Sequence, residues 1–454
     1  MRWLSVIMFI GVSVSFYGCT KEEKGDLMSI ATPGEIYISK IIERLEHSEN
    51  ILDEISRAAD ETALKIIRGG RIYVTDDETI FRSGEEKTVL LPGGNYYYPM
   101  HEDWGGFVAE ACDRAGGLRH IQPVPVKGKL SENDVVLAGT LELDPDSQLK
   151  QLKPLKDSGV LLIIFGSRGS KVAVIADYLI DNGLEPGIVP VMDIGKDNKI
   201  GPIAGVANVI NMWAFTSELV AALTRQGKMP TLWQSMFVPG AAPRNERIGA
   251  YMFHPDMNIA PIEAGKLGRQ YVMTVKGFLE NIKKNELSRF HDAGKLCAGA
   301  ISGDKKVIAS LIGHFMVSQR RMPGYPNIFI LKENLYGDEQ LQGILEKDDI
   351  WLHVGYSYYP VRELNYARKV GAKTICVFTP GPTDIGEGYP VAEDMSLIDV
   401  YIDPYWKHGD AVVEVPGYDI RIIPPSGVVM ITCYWMIIGE TLGELQAVSR
   451  TKLR

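Results

Sequence analysis

The chain has 454 residues, 45% of them hydrophobic and 23% charged, with a formal charge of −9. That length exceeds what one core usually holds, so two domains are expected. An acidic chain without a Lys/Arg-rich block is poorly suited to neutralising phosphates, so no nucleic-acid partner is expected.

The first charge after Arg2 is Lys21, and the stretch between them, WLSVIMFIGVSVSFYGCT, is apolar. A basic start, an apolar run and a small residue ahead of Cys19 describe an export signal over residues 1–19. Gly18-Cys19 resembles the cleavage and lipid-attachment point of bacterial lipoproteins, although Phe16 and Tyr17 are bulkier than that motif usually carries. The alternative is an uncleaved membrane anchor. On either reading the body lies outside the cytoplasm, and a membrane is met only through this N-terminus. On the lipoprotein reading that is the cell membrane or the outer membrane.

A long amphipathic helix is predicted from Tyr37 to Arg68, with apolar residues at helical spacing. A short apolar run, RIYV, follows at Arg71, and then an insert, DDETIFRSGEEKTVLLPGGNYYYPMHED, leads to a helix from Trp104. NDVVLAG and GVLLIIFG lack clean alternation, as expected for strands buried on both faces. After IADYLIDNGLEPG an apolar helix carrying a Gly-Val pair closes this half. The Pro/Gly-rich residues 241–269 read as a linker. The same grammar then recurs. A helix is predicted from Tyr271 to Phe290, KLCAGAI at Lys295 is a predicted strand, and VIASLIGHFMVSQRR from Val307 is a predicted helix. SGDKK lies between those two and fills the place of the first-half insert. DDIWLHVG and AKTICVFT are strands flanking the helical YYPVRELNYARKVGA, and a second Gly-Val helix ends the chain.

The recurrence keeps register. A separation of 222 positions joins Asp177 to Asp399, Asp181 to Asp403, Pro202 to Pro424, Gly205 to Gly427, Trp213 to Trp435 and Glu218 to Glu440. Matches held over some forty residues are read as duplication of one domain. The halves are residues 20–240 and 270–454. Alternating β and α with short connections implies parallel sheets covered by helices on both faces.

AEACDRAGGLRHIQP from Ala109, IADYLIDNGLEPG from Ile175, LIDVYIDPYWKHGDAVVEVPG from Leu397 and DIWLHVGYSYYPVRELNYARKVGAKTICVF resemble the sugar isomerase (SIS) domain family of phosphosugar-binding modules. The resemblance spans nearly the whole chain beyond residue 19. It implies two tandem αβα sandwiches, each around a mostly parallel five-stranded sheet, packed as a pseudo-dimer with ligand sites near the interface. It implies a sugar or sugar-phosphate ligand and no cofactor, and leaves assembly into a homodimer open.

In such sheets ligands bind beyond the carboxyl ends of the strands. Family members that hold a sugar phosphate place Ser-x-Ser-Gly and Gly-rich turns there, and this chain departs from that pattern. In AGTLELDPD, Thr140 can donate a hydrogen bond, but Glu142 and Asp144 bring like charge toward a phosphate. In HVGYSYYPVRE the resemblance puts Ser357 on a family Ser position and Gly355 in place of the other, while Arg362 adds a cation. Ser302, Gly303 and Lys305, read as a turn ahead of a helix, offer N–H groups and a cation to an anion. Each of these is equally readable as a solvated surface turn.

Aldose–ketose isomerisation needs a base, and an acid or cation to stabilise the enediolate. His101 and Glu102, beside Tyr96, Tyr97, Tyr98 and Trp104, are candidates, with an acidic helix cap as the alternative. Glu363 is a second candidate base or an ordinary first-turn Glu. His408 is a candidate ligand contact, whereas His314 and His353 lie in apolar runs and read as core or interface histidines. No pair of His or acidic residues has metal-ligand spacing on one helix, and no metal is expected. Cys112, Cys297, Cys376 and Cys433 have no C-x-x-C spacing and read as buried thiols. Two functions fit: a sugar isomerase, or a non-catalytic, envelope-tethered carbohydrate-binding lipoprotein with degenerate phosphate loops.

Overall fold

The computed structural model describes residues 31–77, 106–112, 116–125, 129–194, 199–236, 238–312, 329–333, 338–355, 359–379, 394–406 and 409–452. Helix α1 (Pro33–Asn50) opens on Thr32, whose hydroxyl accepts the Glu35 N–H, with Pro33 in the first turn. It is followed by α2 (Leu52–Ile67), β1 (Ile72–Asp76), α3 (Gly106–Ala111), β2 (Ile121–Pro123) and β3 (Val135–Gly139). Then come α4 (Pro145–Asp157), β4 (Leu161–Gly166), β5 (Tyr178–Asp181), a hairpin of β6 (Pro190–Asp193) and β7 (Lys199–Pro202), and α5 (Ala204–Arg225). Helix α6 (Ala241–Ile248) lies in the connection. The remainder is α7 (Lys266–Asn285), α8 (Leu287–Ser302), β8 (Val307–Leu311), β9 (Ile330–Glu333), β10 (Ile350–Val354), α9 (Val361–Val370), β11 (Lys373–Val377), β12 (Val400–Ile402), a hairpin of β13 (Val413–Glu414) and β14 (Arg421–Ile422), and α10 (Ser426–Lys452).

Two five-stranded sheets result, β2-β1-β3-β4-β5 and β9-β8-β10-β11-β12, and every pairing within them is parallel. Their strand orders are the same. The α/β class with two parallel five-stranded sheets is therefore as expected. Strand alternation divides each sheet between two cores. Val135, Leu137, Ile163 and Phe165 face inward and share one apolar cluster with Val307, Leu311, Ile350, Leu352 and Ile375 of the second sheet. On the outer faces, Val136, Leu162 and Ile164 pack with Leu152 of α4, and Trp351 and Cys376 pack with Leu364 of α9.

Between the sheets lies a layer of helices. There α1 packs on α7 and α10, α5 on α2 and α7, and α8 on α10. Helices α5 and α10 are long and apolar enough to cross a membrane, yet the apolar stretch of α5 is wholly buried and that of α10 mostly so. Their all-round apolarity is that of core helices.

Three expectations are corrected. The helix expected over residues 37–68 is two helices meeting at Ile51, and the one from Tyr271 is likewise broken at Glu286. Apolar periodicity continues through such a bend, because the segments on both sides bury a face. KLCAGAI is not a strand; it completes α8, burying Cys297, Ala298 and Ala300 on one side. The strand is instead the start of the stretch expected to be helical, Val307–Leu311, buried on both faces. SGDKK accordingly precedes the second half's first central strand and is no counterpart of the insert. Residues 241–269 connect the halves and include α6. Arg244 of α6 binds Asp419 through Nε and Nη2, each at 2.8 Å, and gives further hydrogen bonds to the Tyr418 hydroxyl and the Leu232 carbonyl.

Candidate functional site

With the order 2-1-3-4-5, chain direction across the sheet reverses between β1 and β3, and in the second sheet between β8 and β10. Crevices outside the carboxyl ends of those strands are where open α/β sheets receive ligands.

In the first sheet this edge is largely stitched to itself. The Thr140 hydroxyl donates to Gln148 Oε1 at 2.7 Å and accepts the Glu142 N–H at 3.1 Å. Glu142 accepts from the Ser170 hydroxyl at 2.8 Å and from the Lys171 N–H. Asp144 caps α4 through the Ser147 N–H, which holds its carboxyl below the usual range. Asn182 donates to Asn208 Oδ1, and Asn208 in turn donates to the Thr140 carbonyl. Asp76 and Asp77, at the end of β1, are both buried. Asp76 accepts the Val108 N–H at 3.1 Å, while Asp77 Oδ2 accepts the N–H groups of Leu141 and Leu143 at 2.8 and 3.1 Å. Burial pushes the Asp77 carboxyl up to about 7, with a smaller upward push from Asp76 and an opposing pull from the two N–H bonds.

The corresponding edge of the second sheet differs. Ile312 stands where the first half has Asp77, is buried, and donates its N–H to Val354. Gly355 follows β10 and donates its N–H to the Val377 carbonyl at 2.9 Å. A Cβ on Gly355 would lie 2.7 Å from His353 Nε2, so the imidazole reaches up to this edge. Ser310 near the end of β8 and Thr379 just beyond β11 are buried, and their hydroxyls find no partner among the described residues. Glu363, in the first turn of α9, is fully buried and lies near Cys376, whose thiol is pushed up by burial and further by Asp399 and Glu363. Arg362 is exposed and paired with Asp338 at 2.9 Å and with Glu339.

The structure brings Gly355 and Glu363 to the carboxyl side of the second sheet and Thr140 to that of the first. It does not bring Ser302, Gly303 and Lys305 there. Ser302 ends α8, and Gly303 and Lys305 lie between it and β8, at the opposite edge; five residues of strand amount to roughly 16 Å. The Gly303, Asp304 and Lys305 N–H groups close the carboxyl end of α8, bonding to carbonyls of Gly299, Ala300 and Ile301. That end of a helix repels an anion. The expected anion-binding turn is thus corrected to a helix cap, with Lys305 Nζ on the Lys347 carbonyl. His101, Glu102, Ser357, His408, His314 and Cys19 lie outside the described residues.

Ser310, Thr379 and Asp77 were not singled out from sequence. Asp76-Asp77 did carry a signal, being two acids closing an apolar run, but nothing local marks which oxygen meets which N–H. Among the described residues no three His, Cys, Asp or Glu side chains converge as a metal site would require.

Fold and site together define a doubly wound α/β protein with two parallel sheets around a shared helical core. No family model matches the chain, and no curated protein does. Solved structures similar to it include the C-terminal domain of glucosamine-fructose-6-phosphate aminotransferase from Francisella tularensis, at 11% identity and TM-score 0.46, covering 90% of this chain and 96% of that one. A phosphosugar isomerase candidate from Clostridium difficile 630 gives 11% identity and TM-score 0.47, covering 92% and 94%. A sugar-binding protein candidate from Salmonella typhimurium LT2 gives 11% and 0.42, covering 91% and 99%. Similarity at this level says nothing of ligand or activity.

Proposed function

We propose that this is a duplicated SIS-type protein that binds a sugar or sugar derivative at the carboxyl edge of its second sheet, and that it does so as an exported lipoprotein. One observation carries the ligand reading. Three neighbouring strands, β8, β10 and β11, carry Ser310, Gly355 and Thr379 near or just beyond their carboxyl ends, two buried hydroxyls without a partner among the described residues and a glycine. A buried hydroxyl left unsatisfied costs about 1–3 kcal/mol, and a polyhydroxylated ligand offers the hydrogen-bond partners that such hydroxyls lack. Duplication is supported by the 222-residue register and the shared strand order.

Thermal-shift titration with paired sugars and sugar phosphates tests the ligand class, with Ser310→Ala and Thr379→Val as controls. Stabilisation of the wild type that is lost in both variants is expected. No shift with any sugar would end this reading. Catalysis is a separate claim, in which Glu363 is the base moving a proton between adjacent carbons. It requires isomerase turnover in the wild type that Glu363→Gln abolishes. Export rests on the segment around Cys19, and incorporation of radiolabelled lipid that disappears in Cys19→Ala is the expected result.

A further inference from the structure

Loops beyond the carboxyl ends of parallel strands hold anions by pointing successive backbone N–H groups at them. In the first half two such groups, on Leu141 and Leu143, do converge at the switch point between β1 and β3. A left-handed Glu142, with φ 53°, bends the loop between them. What they converge on is the chain's own Asp77 Oδ2.

We infer that Asp77 is a built-in occupant of the first half's anion cradle, so that this crevice excludes phosphate and admits hydroxyl-bearing ligands that carry no negative charge. This rests on the reading above that the carboxyl edges are the ligand faces, and it decides ligand charge at one of them.

Three observations support it besides the two hydrogen bonds. Asp77 Oδ1 is buried and has no partner among the described residues, leaving an acceptor for a hydroxyl donor. The neighbouring Asp76 adds negative charge at the cradle. The second half, built on the same strand order, has the uncharged Ile312 at this position, so the carboxylate is not a requirement of the fold.

The test uses inorganic phosphate as the probe, against chloride at matched ionic strength and above neutral pH, where the Asp77 carboxyl is ionised. Asp77→Ala frees both N–H groups and is expected to bind phosphate at least about tenfold more tightly than the wild type, read as a rise of several degrees in its melting midpoint. Asp77→Asn keeps an oxygen of the same shape in the cradle and is expected to respond as the wild type does. If Asp77→Ala folds poorly in chloride, recovery of its folded fraction by phosphate is the readout. Equal phosphate responses of wild type and Asp77→Ala, or no rescue of a poorly folded Asp77→Ala, overturn the inference. A sugar panel that fails while Asp77→Ala gains phosphate leaves the cradle standing and removes only the sugar-binding proposal.

Discussion

Glu218 and Glu440, 222 positions apart, each close the amino end of the other half's first helix. Glu218 of α5 accepts the Gly265 and Gly268 N–H groups at the start of α7 at 2.6 and 2.7 Å, together with the Ser56 hydroxyl at 2.9 Å. Glu440 of α10 accepts the Gly34 N–H at the start of α1 at 2.9 Å. The first four N–H groups of a helix lack intrahelical partners, and a carboxylate there also meets the positive end of the helix dipole. Each half therefore completes the other's helix, which is why the two sheets share one core.

Removing either carboxylate should destabilise the protein. Glu218→Ala strands the buried Gly268 N–H and Ser56 hydroxyl and the part-buried Gly265 N–H, at a cost of about 3–5 kcal/mol. Glu440→Ala strands one backbone N–H and should cost less, about 1–3 kcal/mol. Chemical denaturation of the two variants checks the order. The helix starts are equally tight, since a Cβ on Gly34 would lie 2.8 Å from Glu440 Oε1 and one on Gly268 would lie 3.0 Å from Glu218 Cγ. Gly34→Ala and Gly268→Ala should each lower the midpoint.

Asp77 should make stability fall as pH rises. Its folded-state value of about 7 lies above the ordinary 3.8, so the folded chain holds a proton that the unfolded chain has released across that interval. The contribution is complete below the ordinary value and is lost as pH climbs through about 7. Asp77→Asn cannot titrate, so the difference in melting temperature between variant and wild type should widen in the variant's favour from pH 4 to pH 8. A constant difference would mean that Asp77 titrates normally.

The Arg244–Asp419 pair should behave in the opposite sense. Hydrogen bonds from Arg244 hold the Asp419 carboxyl below the usual range, against the effect of its partial burial. Its contribution is present above the ordinary carboxylate range and is lost as pH falls through the depressed value. Arg244→Lys cannot reproduce the two-pronged contact and should cost about 1–3 kcal/mol near neutrality, with a smaller penalty in acid. Urea midpoints at two pH values measure this.

Cys112, Cys297, Cys376 and Cys433 are all buried and form no disulfide with one another, and burial pushes the Cys297 thiol up to about 12. Thiolate is the reactive form, so none of the four should react with a thiol reagent in the native protein. All four should react in denaturant. Rapid labelling of a native thiol among these four would show that its surroundings open.

Much of the architecture was legible in the residues. NDVVLAG, GVLLIIFG, DDIWLHVG and AKTICVFT are apolar at consecutive positions, a pattern that a strand covered on both faces produces and a half-exposed strand does not. KLCAGAI and VIASL were exchanged because short apolar runs serve either a buried helix or a buried strand, and only the chain's path through the sheet distinguishes them. The site was less legible. Thr140, Gly355 and Glu363 were marked by their place after strands, yet Ser302, Gly303 and Lys305 look equally loop-like and fall at the wrong edge.

The amino-acid sequence by itself determined the layered α/β class and carried a pattern that recurs at 222 positions, because burial pattern and spacing are properties of neighbouring residues. Only the tertiary structure decided that Glu218 and Glu440 cross over to each other's helices, and that Asp77 takes up the N–H groups of Leu141 and Leu143. Those bonds join residues dozens to hundreds of positions apart, and a carboxylate's partner is set by where the folded backbone leaves an unsatisfied donor.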